Sequence, residues 1–205
     1  MTATLAPGVI FTPGYLDRAA QDEMLAAVRA VIAAAALYVP RMPRSGKPMS
    51  VRMTNAGALG WVTDEARGYR YQPTHPESGE PWPPIPDILL RAWHELGGYP
   101  HPPEACLVNY YAPDARMGLH QDKDEQHFAA PVVSLSLGAT CLFRVGGRKR
   151  SDPTSSVRLA SGDAVVLGGE GRLAFHGVDR ILPETSTLLP EGGRINLTLR
   201  RVTRP

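Results

Sequence analysis

The sequence predicts a mainly β fold with flanking helices (α+β), arranged as a double-sheet jelly roll or a barrel. Its 205 residues, 43% of them hydrophobic, suit one globular domain with a core. From Ala105 onward, short segments rich in β-branched and aromatic residues alternate with Gly or Pro. The 20 Gly and 20 Pro also fit short strands and many turns better than a helical bundle. We predict strands at 107–111, 132–137, 140–145, 163–167 and 194–202.

The residues before this region are predicted to form two helices and a loop-rich layer. Asp17 can begin a helix that reaches about residue 37, because its carboxylate can accept hydrogen bonds from the free amides of the first turn. A second helix is predicted over 86–96, and the Gly pair that follows can end it. Between them, residues 40–84 are rich in Gly, Pro and Thr. We therefore predict a single domain over 1–205, with an N-terminal helical segment at 1–40, a layer with its supporting helix at 41–104, and a core at 105–205.

Charge and cysteine usage restrict the partners and the compartment. The net charge of +2 does not by itself indicate a polyanionic partner. Two basic stretches, 41–52 and 144–150, would form a phosphate-binding surface if they flanked one groove, and are otherwise solvated loops. Cys106 and Cys141 lie in apolar runs, which predicts buried free thiols and a reducing compartment. With no signal-peptide pattern and no apolar run long enough for a bilayer, we expect a cytoplasmic protein without a membrane partner.

The strongest local signal for chemistry is the segment His120-Gln121-Asp122. In an extended segment, residues two apart point to the same side, so this imidazole and this carboxylate can bind one metal ion. A second histidine would complete the two-His-one-carboxylate triad typical of non-haem iron(II) oxygenases. Such a pair also arises by chance, and His75-Pro76-Glu77 has the same spacing in a turn-rich segment that lacks strand patterning.

Four other histidines could supply the third ligand. His176 comes directly after a predicted strand, in Phe175-His176-Gly177. Its competitors are His94 inside the second helix, His101 between prolines, and His127 as a surface residue after an acidic run. The sequence pattern alone does not decide which of these four histidines is the third ligand.

The last predicted strand has a polar face suited to a dicarboxylate. Read at period two, Ile195, Leu197 and Leu199 form its apolar face. The opposite face carries two guanidinium groups, an amide and a hydroxyl, from Arg194, Asn196, Thr198 and Arg200. Arginine binds a carboxylate through two parallel hydrogen bonds, although an exposed edge strand would show the same pattern. The side chains of Asn109, Tyr110 and Tyr111 could complete such a pocket.

Several motifs in order resemble the AlkB family of dealkylating dioxygenases, and the bacterial members most closely. The motifs are Met53-Thr54-Asn55, Leu59-Gly60-Trp61, Asn109-Tyr110-Tyr111-Ala112-Pro113, Leu119-His120-Gln121-Asp122-Lys123-Asp124-Glu125, Phe175-His176-Gly177, and Arg194-x-Asn196-Leu197-Thr198-x-Arg200. The resemblance extends over 48–201. It implies a double-stranded β-helix (a jelly roll) with an N-terminal nucleotide-recognition lid, which would fall within 41–104 and leave the catalytic core at 105–205.

The resemblance also implies the cofactors and the site residues. It assigns Fe(II) to His120, Asp122 and His176, with O2 as the oxidant. It places the co-substrate 2-oxoglutarate at Asn109, Tyr111, Arg194, Asn196 and Arg200, with Arg194 on the distal carboxylate and Arg200 nearer the carboxylate bound to iron. Substrate contacts are implied at Trp61, Tyr69, Arg70, Tyr71, Asp124 and Arg150.

The implied reaction is oxidative demethylation of bases of the 1-methyladenine and 3-methylcytosine type. Its substrate would be alkylated DNA, single-stranded or with a flipped base, or RNA, handled by a monomer. Trp61 would stack on one face of the base, the His120 ring would lie near the other, and Asp124 would face its positive charge. Lys123 and Glu125 are expected to be solvated. The alternatives are the same oxygenase chemistry on RNA only, on a protein or on a small molecule; a non-catalytic nucleic-acid-binding β-domain; and a cupin-like metal-binding protein.

Overall fold

The computed structural model describes residues 2–205, and most of their regular secondary structure is antiparallel β-sheet. The strands are β1 (Ala3–Ala6), β2 (Val9–Thr12), β3 (Val51–Ala56), β4 (Gly60–Asp64), β5 (Gly68–Gln72), β6 (Ala105–Tyr111), β7 (Met117–His120), β8 (Val132–Gly138), β9 (Thr140–Val145), β10 (Ser155–Leu159), β11 (Ala164–Leu167), β12 (His176–Leu182) and β13 (Arg194–Arg200). The helices are α1 (Arg18–Ala34) and α2 (Asp87–Ala92), with a π-helical turn at Trp93–Gly97 and a 3-10 turn at Gly169–Leu173.

Two of the sheets share one interior. The larger has the strand order β1-β2-β11-β8-β13-β6-β3, and the smaller has the order β10-β9-β12-β7. From β6 to β9 and again from β10 to β13, successive strands of the chain alternate between the two sheets, as in a double-stranded β-helix. The predicted mainly β jelly roll is thus confirmed. Strands β4 and β5 form a separate hairpin.

Hydrophobic cores lie on both faces of the larger sheet, and period-two alternation along β13 separates them. Ile195, Leu197 and Leu199 pack in the core that also contains the buried faces of α1 and α2. Each fully buried leucine contributes about 1.5–3 kcal/mol relative to an exposed one. Between the sheets, apolar residues such as Phe143 and Val165 form the second core. The remaining interior is the cavity that holds the functional groups.

The predicted starts of both helices and the end of the second are correct to within one residue, whereas the first helix is shorter than predicted. Asp17 caps α1, accepting a hydrogen bond from the Ala20 amide at 2.8 Å, but the helix ends at Ala34. In the second helix the last turn widens into the π-helical turn, and Gly98 ends it in the left-handed conformation (φ 56°). No helix among residues 2–205 is long and apolar enough to cross a bilayer.

The loop-rich layer predicted over 40–84 is wrong in part, because it contains β3, β4 and β5. Strand β3 pairs with β6 at the end of the larger sheet, and its Thr54 and Asn55 are fully buried. These polar residues interrupt the apolar alternation by which a strand is identified in a sequence. Strands β1 and β2 extend the opposite end of the same sheet. Both cysteines are buried and free, as predicted.

Candidate active site

A cavity of about 960 Å³ opens between the two sheets and beneath the β4–β5 hairpin. Its floor is formed by the inward-facing residues of β6, β8 and β13, and its wall by β7, β9 and β12. Side chains of the hairpin lie at its mouth. The predicted metal ligands and most of the predicted co-substrate and base contacts line this single cavity.

His120, Asp122 and His176 converge on one point of the cavity wall. One potential ligand atom from each lies within 4.8 Å of the other two. His176 is the first residue of β12 and pairs with His120 at the end of β7, so the antiparallel register brings the imidazoles together. A Cβ at Gly177 would lie 2.6 Å from the Met117 carbonyl oxygen, so this close approach requires glycine.

Hydrogen bonds orient both imidazoles for metal binding. Nδ1 of His120 lies 2.9 Å from the Gly118 carbonyl oxygen, and Nδ1 of His176 lies 3.0 Å from that of Ala174. A ring whose Nδ1–H donates to a carbonyl presents the lone pair of Nε2. The two Nε2 atoms lie 3.7 and 3.8 Å from the carboxylate oxygens of Asp122.

Burial and charge favour the ligand forms of these groups. Burial lowers the pKa of His176 to about 4, so its imidazole is neutral at pH 7. Burial alone would raise the pKa of Asp122, but the Arg200 guanidinium and the neighbouring histidines hold it well below its usual range. Oδ2 of Asp122 lies 2.9 Å from Nη2 of Arg200, an ion-pair distance without hydrogen-bond geometry. This carboxylate oxygen therefore lacks a hydrogen bond, as expected of a metal ligand.

Two imidazoles and one carboxylate fit Fe(II) and leave coordination positions for other ligands. In the described part of the chain, no other group of three potential ligands converges in this way. None of the other histidines belongs to this group. His75 is buried, with Nε2 2.9 Å from the Ala36 carbonyl oxygen, and His127 contacts the Tyr99 hydroxyl at 2.6 Å. His94 lies in the π-helical turn, and His101 is exposed.

Arg194 supplies a buried cation on the cavity floor. It is only 1% exposed, and Nη2 donates to the Ser136 hydroxyl at 2.8 Å. Its Nε and Nη1 have no hydrogen-bond partner. Because unpartnered buried donors are costly, this guanidinium fits a bound carboxylate. The donors of Arg194 and the open metal site thus match the distal carboxylate and the keto-acid end of 2-oxoglutarate.

The other predicted co-substrate residues lie around Arg194, with one exception. Asn109, Tyr111, Asn196 and Arg200 all line the cavity. Tyr110 does not, which corrects its assignment to the pocket. Because adjacent residues of a strand face opposite sides, its ring lies on the other face of β6, under the Arg52 guanidinium at 4.8 Å.

Aromatic and charged groups form the mouth of the cavity. Trp61 and Tyr69 stack with their ring centroids 5.4 Å apart, and the indole N–H donates to Asp124 at 2.8 Å. Asn55 holds the main chain of Trp61 from both sides, accepting from its N–H at 3.0 Å and donating to its carbonyl at 3.1 Å. Arg150 lies over the ring of Phe175 at 4.9 Å. Trp61, Tyr69, Asp124 and Arg150 all line the cavity.

Two predicted substrate contacts do not line the cavity. Arg70 pairs with Asp64 at 2.7 Å within the hairpin. Tyr71 lies behind the cavity wall, where its hydroxyl donates to Glu125 at 2.5 Å and accepts from Arg200 at 3.1 Å. Since the side chains of β5 alternate, Tyr69 faces the mouth while Arg70 points away from it.

The expectation that Glu125 is solvated is wrong, whereas Lys123 is exposed as predicted. The Glu125 side chain is fully buried and pairs with Arg172 at 3.1 Å. Sequence reasoning missed both members of this pair, because Glu125 ends an acidic run that is typical of a solvated turn.

The two basic stretches are only partly at the cavity. Lys47 and Arg150 line it, but Arg144 pairs with Asp179 at 2.7 Å.

Comparisons with known proteins agree with this geometry. Residues 8–200 match the family described as the 2OG-Fe(II) oxygenase superfamily. A protein of Caulobacter vibrioides named "Alpha-ketoglutarate-dependent dioxygenase AlkB homolog" is 57% identical over 97% of this chain and 89% of its own length. The Escherichia coli protein "Alpha-ketoglutarate-dependent dioxygenase AlkB" is 46% identical over 76% of this chain and 73% of its own. The solved structure of OsALKBH1 superposes with a TM-score of 0.82 at 32% identity, covering 98% of this chain and all of that one.

More distant relatives have names that state a nucleic-acid substrate. A Schizosaccharomyces pombe protein named "tRNA demethylase abh1" is 34% identical over 68% of this chain and 48% of its own length. An Arabidopsis thaliana protein named "DNA N(6)-methyladenine demethylase ALKBH1D" is 41% identical over 48% of this chain and 24% of its own.

Proposed function

The chain belongs to the 2OG-Fe(II) oxygenase superfamily and within it to the AlkB family, and we propose that it demethylates bases of the 1-methyladenine and 3-methylcytosine type in DNA. It is an Fe(II)- and 2-oxoglutarate-dependent dioxygenase that oxidatively dealkylates nucleic acids. The observation that carries the proposal is one cavity that combines the metal triad, the Arg194 guanidinium with two unpartnered nitrogens and the Trp61 indole at its mouth.

Each part of the cavity then has a role in the reaction. His120, Asp122 and His176 would hold Fe(II), and Arg194 would hold the distal carboxylate of 2-oxoglutarate. When bound, Fe(II) with 2-oxoglutarate and O2 would supply the oxidation of the N-methyl carbon, with succinate and CO2 as co-products and formaldehyde released from the hydroxylated methyl group. The chain itself orients both substrates and excludes water from the interior between the sheets.

The mouth of the cavity supports a single extruded base as the substrate. A base within a duplex cannot reach the cavity wall, so we propose that the enzyme acts on single strands or on a flipped base. Trp61 would stack on the base, and Asp124, which already holds the indole N–H, would face its positive charge. We propose that the β4–β5 hairpin is the nucleotide-recognition lid.

We also propose that the enzyme is a cytoplasmic monomer. The free thiols of Cys106 and Cys141 support a reducing compartment. Among the described residues, the exposed large hydrophobic side chains are few and spread along the chain, and two of them lie at the cavity mouth, which supports a monomer. They are Ile10, Val39, Met42, Tyr69 and Phe128.

A substrate panel tests the proposed function. Formaldehyde release is measured from oligonucleotides with one 1-methyladenine or 3-methylcytosine, as single-stranded DNA, duplex DNA and RNA, with and without Fe(II) and 2-oxoglutarate. We expect release that needs both additions and is fastest on single-stranded DNA. Faster turnover of the RNA oligonucleotides would instead favour RNA as the substrate, the reading suggested by the tRNA demethylase relative.

Trp61→Ala should separate base binding from co-substrate use. Base–aromatic stacking contributes about 1–3 kcal/mol, so the KM for a methylated oligonucleotide should rise roughly 5- to 150-fold. Uncoupled decarboxylation of 2-oxoglutarate should persist, because the Trp61 side chain bonds to Asp124 and stacks on Tyr69 at the cavity mouth. Trp61→Phe should recover most of the loss. If decarboxylation fell equally in Trp61→Ala, the role of this indole would be structural.

Arg150→Met should weaken phosphate contacts at the cavity mouth. The slope of log K against log salt concentration for a methylated single strand should fall in magnitude by about 0.7, the value of one phosphate contact. The KM for 2-oxoglutarate should not change. Arg158, which is exposed on β10 and outside the cavity lining, provides the control variant Arg158→Met. An equal change of slope in both variants would contradict a specific contact.

A further inference from the structure

We propose that Arg172 and Glu125 are positioning residues for the metal centre, although neither lines the cavity. Their buried ion pair holds the main chain of Asp122 on one side and orients Arg200 on the other. The inference rests on the proposed function, because the groups that the pair positions are the proposed metal ligand and the proposed co-substrate cation.

The Arg172 guanidinium fixes the position of Asp122. Its side chain is 2% exposed, and each nitrogen faces a different acceptor. Nε donates to the Ala130 carbonyl at 2.9 Å, Nη1 donates to the Asp122 carbonyl at 2.7 Å, and Nη2 donates to Glu125 at 3.1 Å. A planar fork with three acceptors cannot rotate without losing hydrogen bonds. The carbonyl that it holds belongs to the residue whose carboxylate faces the metal site.

Glu125 connects Arg172 to Arg200, the residue proposed to contact the co-substrate. Its Oε1 accepts from the Tyr71 hydroxyl at 2.5 Å and lies 3.5 Å from Nη1 of Arg200. Nη1 of Arg200 donates to the same hydroxyl at 3.1 Å, and Nη2 lies 2.9 Å from the Asp122 carboxylate. These five residues form a closed ring, Asp122–Arg200–Tyr71–Glu125–Arg172, in which two cations balance two anions.

The composition of this ring favours positioning over stability. An apolar pair of similar volume often stabilises a fold at least as well as a buried ion pair, because removing two charges from water is costly. A ring of directed contacts instead fixes geometry. It joins the metal carboxylate, the Arg200 guanidinium and, through Tyr71 on β5, the hairpin that also carries Trp61 and Tyr69.

The test uses Mn(II) as a redox-inert probe of the metal site, with binding measured by electron paramagnetic resonance in the absence of 2-oxoglutarate. The double variant Glu125→Met/Arg172→Met removes both charges together and so leaves no unpaired ion in the interior. We expect it to remain folded and to bind Mn(II) roughly 10- to 100-fold more weakly. This is the usual effect of removing a residue that supports a metal ligand. Arg201→Met is the matched control: Arg201 pairs with Glu104 at 3.4 Å, both side chains are less than one-fifth exposed, and neither lines the cavity.

A folded double variant that binds Mn(II) as tightly as the unaltered chain would overturn the proposal. If the double variant does not fold, Arg172→Lys provides the test instead. Its ammonium group keeps the positive charge but cannot reach all three acceptors. Arg172→Lys should bind Mn(II) about 10-fold more weakly than the unaltered chain. The same affinity in both would contradict the proposal. Failure of the unaltered chain to bind Mn(II) would instead refute the metal site itself.

Tyr71→Phe tests the other half of the ring. It removes only the hydroxyl that links Glu125 to Arg200, so the KM for 2-oxoglutarate should rise roughly 10-fold, as expected for one hydrogen bond to a charged group. Mn(II) affinity without 2-oxoglutarate should stay the same. A lower melting temperature with unchanged values of both parameters would show that the hydroxyl only stabilises the fold.

Discussion

Asp122→Ala is expected to abolish metal-dependent succinate release, with a loss of more than about 100-fold, since even partners of metal ligands cost 10- to 100-fold. The carboxylate lies 3.7 and 3.8 Å from the Nε2 atoms of the two histidines, and one of its oxygens has no hydrogen bond. Removing it leaves two neutral imidazoles and no anionic protein ligand, so Fe(II) should bind far more weakly. The fold should persist, because Arg200 keeps the Tyr71 hydroxyl at 3.1 Å and Glu125 at 3.5 Å.

Asp163→Ala is the matched control for this prediction. Asp163 is as buried as Asp122, at 6% exposure, but it accepts hydrogen bonds from the amides of Gly14 and Ala160 and does not line the cavity. Its loss should lower the melting temperature and leave succinate release per folded molecule unchanged. Circular dichroism establishes the folded fraction of both variants. Turnover retained in Asp122→Ala would remove this residue from the metal site.

Arg194→Met is expected to raise the KM for 2-oxoglutarate by roughly 30- to 5000-fold, the effect of about 2–5 kcal/mol when one partner of a buried charge pair is removed. The stability of the protein without 2-oxoglutarate should not fall. Two guanidinium nitrogens of Arg194 are buried without partners, so methionine, which fills similar space, relieves a desolvation cost and loses only the Ser136 hydrogen bond. The variant should therefore bind 2-oxoglutarate more weakly while its free energy of unfolding stays the same or increases.

The measurements are the rate of 2-oxoglutarate decarboxylation against its concentration, the melting temperature, and the affinity for a methylated oligonucleotide. Affinity for the oligonucleotide should change little, because Arg194 lies on the floor of the cavity and is 1% exposed. Arg158→Met again controls for the loss of one positive charge. Equal losses of co-substrate and oligonucleotide binding would show that the 2-oxoglutarate site lies elsewhere.

Local patterns in the sequence predicted both helices and five of the thirteen strands among residues 2–205, and they identified the candidate metal ligands. The apolar alternation of β13 predicted which residues face the helices and which face the cavity, because a strand has a strict period of two. The spacing of His120 and Asp122 predicted a shared metal ligand set for the same reason. Strand β3 escaped detection, since its buried Thr54 and Asn55 remove the apolar pattern.

Only the tertiary structure decided which distant groups meet. His176 was one of four candidate ligands until the β7–β12 register placed it opposite His120, a pairing between residues 56 positions apart that local propensity does not encode. Glu125 ends an acidic run and was expected in water, but Arg172, Tyr71 and Arg200 surround it in the fold. Burial of a charge depends on partners brought by other strands. The sequence by itself therefore determined the chemistry of the side chains, and long-range strand pairing determined which of them share a site.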